Sequence, residues 1–297
     1  MGVTLHQSLV KTGQPFHLWI LCMDELAEKQ LAILALPHVT LISLKEIETQ
    51  ALLNIKSTRS KGEYCWTLTP FLPDFVLGRA QDMERVTYLD ADLYFYDTPQ
   101  LLFCEFDQSG KQVLITEHAY APEYDQTAVS GRFCVQFLTF RKTPGSLRVL
   151  GWWQEKCLEW CFARYEEGKF GDQKYLDCWP DLFGDVVHVL RQTDKTLAPW
   201  NVNHVSRVLQ GALNPVFYHF HEFRMITPGK MRLFLGYKIG RRGLRLYDTY
   251  LAALKVTVMA LEAAGIPIPY LWVDTKWESW SFINRLLRRN VRFAKLI

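Results

Sequence analysis

Apolar positions along the chain fall into short runs that alternate with stripes at helical spacing. FHLWILCMD (Phe16 to Asp24) is a run of β-formers, and the following ELAEKQLAILAL repeats its apolar residues at helical intervals, so a strand and then a helix are predicted. VTLISL (Val39 to Leu44), RVTYLDADLYFYDTP (Arg85 to Pro99), VLIT (Val113 to Thr116) and FCVQFLTF (Phe133 to Phe140) predict four further strands. The third strand is closed by the turn Asp97-Thr98-Pro99. Helical patterns open the chain (VTLHQSLVKTG) and follow the fifth strand (LRVLGWWQEKCLEWCFARYEEG). Such alternation predicts a mainly parallel sheet covered on both faces. After Phe223 the pattern changes to glycine-punctuated basic sequence (GYKIGRRGLR) and a helix, LYDTYLAALKVTVMALEAAG, which sets the expected boundary between residues 1–223 and an extension, 224–297.

Charge sharpens that boundary. The net charge of 297 residues is only +3, but Arg224 to Ile297 holds 14 Lys/Arg against 4 Asp/Glu, a balance of +10 that leaves −7 on the rest. In the closing run, Ile283, Leu286 and Leu287 fall on one helical stripe, with Arg285, Arg288, Arg289 and Arg292 mainly on other faces. A basic amphipathic helix suits an anionic membrane surface or a polyanionic acceptor; the alternative is a stripe packed on the main domain with solvated arginines. The aromatics there form no nucleic-acid motif, so a nucleic-acid partner is not expected. Seven cysteines, an odd count without a CxxC pair, indicate free thiols in a reducing compartment. With no secretory signal at the start and no run of about 20 apolar residues, a cytoplasmic protein is expected, with peripheral contact at the inner membrane face.

The chemistry concentrates at LDADLYF. Asp90 and Asp92 follow an apolar strand, and the twofold period of an extended chain aims both carboxylates the same way. A divalent cation relieves their repulsion and leaves room for diphosphate oxygens. The same spacing also arises on turns that bind nothing.

Four stretches give this pair a context: GEYCWTLTP (Gly62 to Pro70), VTYLDADLYF (Val86 to Phe95), GKFGDQKYLDCWPDLF (Gly168 to Phe183), and APWNVNH with FYHFHEF (Ala198 to Phe223). In these motifs, from about Phe16 to Phe223, the chain resembles the glycogenin-like and lipopolysaccharide-galactosyltransferase-like retaining glycosyltransferases, and more closely a bacterial branch similar to them. The resemblance implies an α/β, three-layer, Rossmann-like GT-A domain for nucleotide-diphospho-sugar transfer, here with a basic helical C-terminal extension. It implies that Asp90, Asp92 and His219 hold Mn²⁺ or Mg²⁺, with His221 as alternate or support, and that Asp90 also meets the ribose. Asp172 and Gln173 match the catalytic DQ pair near the anomeric carbon; Asp172 also reads as the N-cap of the following helix. Trp200 and Asn201 would face the sugar or acceptor, although a structural Trp fits equally. The implied partners are a nucleotide diphosphate sugar, a UDP-sugar foremost, and a glycan or lipid-linked acceptor.

The sequence departs from the family pattern at three places. The family's first strand, which grips the base, is not matched, and the chain opens on a helix. Cys134 and Gln136 stand in the donor-binding segment where the branch carries Asn-x-Gly. A sugar-contacting Arg falls at Trp66, and a late diphosphate-binding Lys falls near Arg224 and Met225, where only Arg224 keeps the charge. Two readings follow: an active transferase with altered sugar choice, using Arg224 and the metal at the diphosphate, or a degenerate homologue acting as a binding or scaffold protein.

Overall fold

In the computed structural model, which describes residues 1–270 and 291–295, the predicted alternation is realised from the first turn onward. Helix α1 (Gly2–Lys11) precedes β1 (Leu18–Cys22), α2 (Glu25–Leu34) and β2 (Val39–Ser43), with β1 and β2 parallel. The Asp24 carboxylate caps α2 by accepting from Ala27 N, which fixes the strand-to-helix transition that the pattern predicted. Four helices follow: α3 (Leu44–Ile47), α4 (Gln50–Lys56), α5 (Lys61–Leu68) and α6 (Phe71–Arg79).

The stretch Arg85 to Pro99 is two strands rather than one. Strand β3 (Arg85–Leu89) and β4 (Leu93–Phe95) are separated by a turn in which Leu93 N donates to Asp90 O, so the acidic pair sits on a corner. Then come α7 (Gln100–Ser109), β5 (Val113–Glu117), α8 (Thr127–Ser130), β6 (Phe133–Arg141) and α9 (Pro144–Glu159). Helix α9 stops well before the end of its apolar pattern, because Trp160 adopts an extended backbone. Helix α10 (Trp179–Leu182), β7 (Val187–Val189), β8 (Thr196–Leu197), α11 (Val202–Leu209) and β9 (Phe217–His219) complete this part.

The main sheet has the order β3-β6-β5-β7, with β6 antiparallel to both neighbours and only β5 and β7 parallel. A second sheet, β4-β9-β8, stands beside it. The expected mainly parallel sheet is therefore mixed; hydrophobic patterning reports burial, not strand direction. One face of the main sheet packs on α9 through Trp153, Val149 and Phe140, and the other on α1 and α7 through Leu9, Phe106 and Phe137. That sandwich of helices about a sheet is the three-layer arrangement expected.

Beyond Phe223, β10 (Arg224–Thr227) and β11 (Lys230–Leu235) form a hairpin that the basic composition hid, and β12 (Val291–Ala294) pairs with β11. Helix α12 (Arg241–Ala263) buries Tyr247 and Tyr250 against Tyr218, Phe220 and Phe223, and Thr257 meets Thr4 of α1 at 3.0 Å. One apolar core thus continues across residue 223. Most of the predicted amphipathic helix, residues 277–290, lies outside the described residues, while Arg292 and Phe293 are in β12.

Candidate active site

The corner between β3 and β4 brings its carboxylates to the end of β9. Asp90 N donates to Gln136 O and Phe220 N donates to Asp92 O, so both acids are tied by backbone to β6 and β9. The pairing of Leu93 with His219 sets the imidazole beside them. His219 Nε2 lies 3.1 Å from Asp92 Oδ1 and 3.8 Å from Asp90 Oδ2. One ligand atom from each of the three residues falls within 4.8 Å of the others.

Electrostatics at this corner are those of a site short of positive charge. Burial pushes the Asp90 carboxyl up to about 6, and Asp92 next to it adds to the rise. Burial pushes Asp92 the same way, but the His219 imidazolium overrides it and draws the carboxyl down to about 2. For His219, burial works against the proton and Asp92 works for it, and the acid wins, holding the imidazole well above its ordinary value. In the protein alone, the His219 proton on Nε2 is the charge that lies directly between the two acids. A divalent cation suits that place better: two carboxylate oxygens and one imidazole nitrogen are a fitting donor set for Mn²⁺ and an acceptable one for Mg²⁺.

The other sequence-predicted residues distribute around this corner unevenly. Asp172 is 5% exposed, and burial lifts its carboxyl to about 7, with Asp90 near enough to contribute. Its main chain is anchored by Trp153 Nε1, which donates to Asp172 O at 2.8 Å. Asp172 does not cap the next segment: a 3₁₀ turn over Lys174–Cys178 has Gln173 at its N-cap. Gln173 spends one amide hydrogen on Ser130 O, 2.8 Å away. Cys134 is buried with its thiol against His219.

Trp200 is 4% exposed, set edge-on to His219 at 5.4 Å, and donates from Nε1 to His118 O. Asn201 gives its amide hydrogens to His118 O and Thr196 O and accepts from Ala198 N, so it ties backbone together and keeps no hydrogen for a sugar. His221 stands 5.7 Å from the ring of His219, outside the group of three, and burial with the charge of His219 lowers it to about 4. Arg224 opens β10 and donates to Phe223 O.

One participant, Tyr88, escaped the sequence reading, and two residues that it named, Trp66 and Gln136, make contacts it did not foresee. Tyr88 donates its hydroxyl to Asp90 Oδ1 at 3.0 Å. Trp66 packs beneath Gly171 at the turn that presents Asp172. Gln136, expected in the donor-binding segment, accepts His219 Nδ1 at 2.8 Å. Its signal was available, since a glutamine stands alone within the apolar run FCVQFLTF.

No protein-family model matches the chain. Over 245 residues it is 32% identical to the uncharacterized protein YfnF of Bacillus subtilis (strain 168), a match that covers 78% of this chain and 80% of that protein. The uncharacterized protein YfnD of the same organism is 31% identical over 271 residues, covering 86% and 85% respectively. Among solved structures, the fold is similar to that of the galactosyltransferase LgtC in complex with donor and acceptor sugar analogs, with a TM-score of 0.51 at 13% identity over 91% of this chain and 94% of that one. The apo-form glycosyltransferase GlyE of Streptococcus pneumoniae TIGR4 gives a TM-score of 0.50 at 18% identity, over 91% of this chain and 61% of GlyE.

Proposed function

The chain belongs to the family of YfnF and YfnD and carries the GT-A fold, and from that premise we propose that it is a metal-dependent glycosyltransferase acting on a nucleotide diphosphate sugar. The observation that carries this reading is the convergence of Asp90, Asp92 and His219 on one point beside a buried acid, Asp172. Asp90, Asp92 and His219 hold the cation, Mn²⁺ or Mg²⁺. When bound, it supplies positive charge to the departing diphosphate. Asp90 reaches the ribose, and Arg224 adds a second cation on the diphosphate side.

Asp172 and Gln173 act at the anomeric carbon. There an oxocarbenium-like state develops, and a carboxylate or amide oxygen stabilises its positive charge. Asp172 is suited to that work because burial leaves its charge poorly solvated, so a developing cation is the better partner. Cys134, Trp200 and the amide hydrogens of Gln136 line the donor side; Gln136 Nε2 is buried without a hydrogen-bond partner among the described residues. Retention, a UDP-sugar as donor and a glycan or lipid-linked acceptor are the finer parts of the reading, and they follow the resemblance.

The engagement of Gln136 with His219 favours an altered site over a lost one, because the departing residue is built into the metal corner. The +10 balance beyond Phe223 fits an acceptor held at an anionic membrane on the cytoplasmic side. Among the described residues no helix is long and apolar enough to cross a membrane.

Thermal-shift screening of UDP-, GDP- and dTDP-sugars with Mn²⁺ or with chelator tests the proposal. A ligand at one hundred times its Kd stabilises the native state by about 2.7 kcal/mol. Stabilisation by one nucleotide class that needs Mn²⁺ is expected, together with slow hydrolysis of the matching donor. No metal-dependent stabilisation by any of them would overturn it.

A further inference from the structure

We infer that Gln136 is a positioning residue of the metal corner, fixing through its side-chain carbonyl the imidazole tautomer that turns the His219 Nε2 lone pair toward the cation. This rests on the metal reading above and goes further in assigning how the histidine is prepared. The β6 ladder shifts register opposite Leu114 and Thr116, whose partners are Thr139 and Cys134, so extra residues of β6 bulge out between those pairs. Bulges re-aim side chains, and Gln136 lies in this one. Its main-chain oxygen accepts Asp90 N at 3.1 Å, and its side-chain oxygen accepts His219 Nδ1 at 2.8 Å. One residue, 1% exposed, therefore sets the place of two of the three candidate ligands.

The chemical consequence follows from what an amide oxygen can do. It accepts only, so the hydrogen must be on Nδ1 and, in the neutral ring, Nε2 is the bare nitrogen. Nε2 is the atom that faces Asp92 and Asp90. Outer partners of this kind orient a ligating histidine and make its ring more basic, and losing one costs about 10- to 100-fold in metal affinity. A glycine here would leave Nδ1 to find another acceptor in a buried place.

Calorimetric titration of the full chain with MnCl₂ tests this, using wild type, Gln136→Leu, Gln136→Glu and, as reference, Asp92→Ala. Wild type should bind, Gln136→Leu should bind about 10- to 100-fold more weakly, and Gln136→Glu, which still accepts from Nδ1, should hold or tighten the affinity. Melting in chelator reports folding separately; if Gln136→Leu does not fold, Gln136→Met replaces it. Wild-type binding that Gln136→Leu matches within about twofold, well below that expected loss, overturns the role of Gln136 and leaves the metal site standing. Equal weakening in the Leu and Glu variants overturns it too, since space rather than an acceptor would then matter. No Mn²⁺ binding by wild type, matched by Asp92→Ala, removes the metal reading itself.

Discussion

A β-carbon placed on Gly171 would lie 3.3 Å from Cε3 of Trp66, at a residue whose φ is +53°. The indole thus fills the space under the turn that delivers Asp172, and only a residue without a side chain makes that turn unstrained. Trp66 stands where the resembled family carries a sugar-contacting arginine, so here that position supports the neighbour of a catalytic candidate. Gly171→Ala adds backbone strain and a crowded contact, an expected loss of roughly 1–3 kcal/mol. Mn²⁺ affinity should be little changed while turnover falls, because the displaced residue is Asp172. Calorimetry and steady-state kinetics on the variant separate the two effects, and an unchanged kcat would show that the turn tolerates a methyl group.

Asp92→Ala should abolish the metal-dependent part of nucleoside diphosphate binding. The cation loses a ligand, and the phosphates lose the counter-charge that balances them. In chelator the variant should bind the nucleotide as wild type does. Calorimetry with UDP in Mn²⁺ and in EDTA decides this, and equal affinity of both proteins in Mn²⁺ is the result that removes Asp92 from the site.

Asp172→Asn and Gln173→Ala should leave donor affinity nearly intact and lower kcat by about two to three orders of magnitude, as for groups that act mainly on the transition state. Gln173 keeps its oxygen free of the bond to Ser130, which its Nε2 makes. Kinetics and equilibrium donor binding are measured side by side. A loss confined to affinity would move both residues from catalysis to binding.

The parts of this molecule that could be read in advance share a physical basis. Asp90 and Asp92 are polar residues at the end of an apolar run and stand out in a linear pattern, whereas Asp172 and His219 are marked only by the family resemblance. Strands such as Val39–Ser43 and Phe133–Arg141 are apolar enough to be identified by composition alone. Illegible features depend on tertiary geometry. The corner at Asp90 splits a continuous β-like stretch because backbone bonds to Gln136 and Phe220 bend it. The β10–β11 hairpin was hidden by Arg224, Lys230 and Arg232, whose charges read as surface although Met231 and Phe234 between and beyond them are buried. Asn201, next to a plausible sugar-facing Trp, proved to hold backbone, and only the identity of its three partners could reveal it.

The basic end should carry the protein to anionic vesicles. Truncation is a poor test, since Val291–Ala294 forms β12 on the hairpin. The double change Arg288→Glu and Arg289→Glu alters the charge without removing that strand. Each cation near such a surface contributes about 1 kcal/mol, and salt screens it. Co-sedimentation with anionic vesicles should be salt-sensitive in wild type, absent with neutral vesicles, and strongly reduced in the double variant. Equal pelleting of the two proteins would eliminate the membrane role.

The last prediction concerns pH and the cost of keeping Asp172. Burial raises its folded pKa to about 7, with Asp90 adding to the rise, whereas an unfolded aspartate titrates near 3.8. A group whose pKa is higher in the folded state binds its proton more tightly there, so its contribution is complete below the unfolded value and is lost as pH rises through the folded one. Wild type should therefore lose stability through this residue between about pH 4 and pH 7. Asp172→Asn keeps the shape and cannot ionise, so it escapes that loss. In chelator, the melting temperature of Asp172→Asn relative to wild type should rise between pH 5 and pH 8, reflecting roughly 2 kcal/mol. Asp92 and His219 titrate in both proteins and largely cancel in the difference, which leaves Asp172 together with its repulsion with Asp90. A gap that stays constant over this range would mean that the carboxyl is solvated in the folded protein, and the argument for a charge held ready for an oxocarbenium-like state would fall with it.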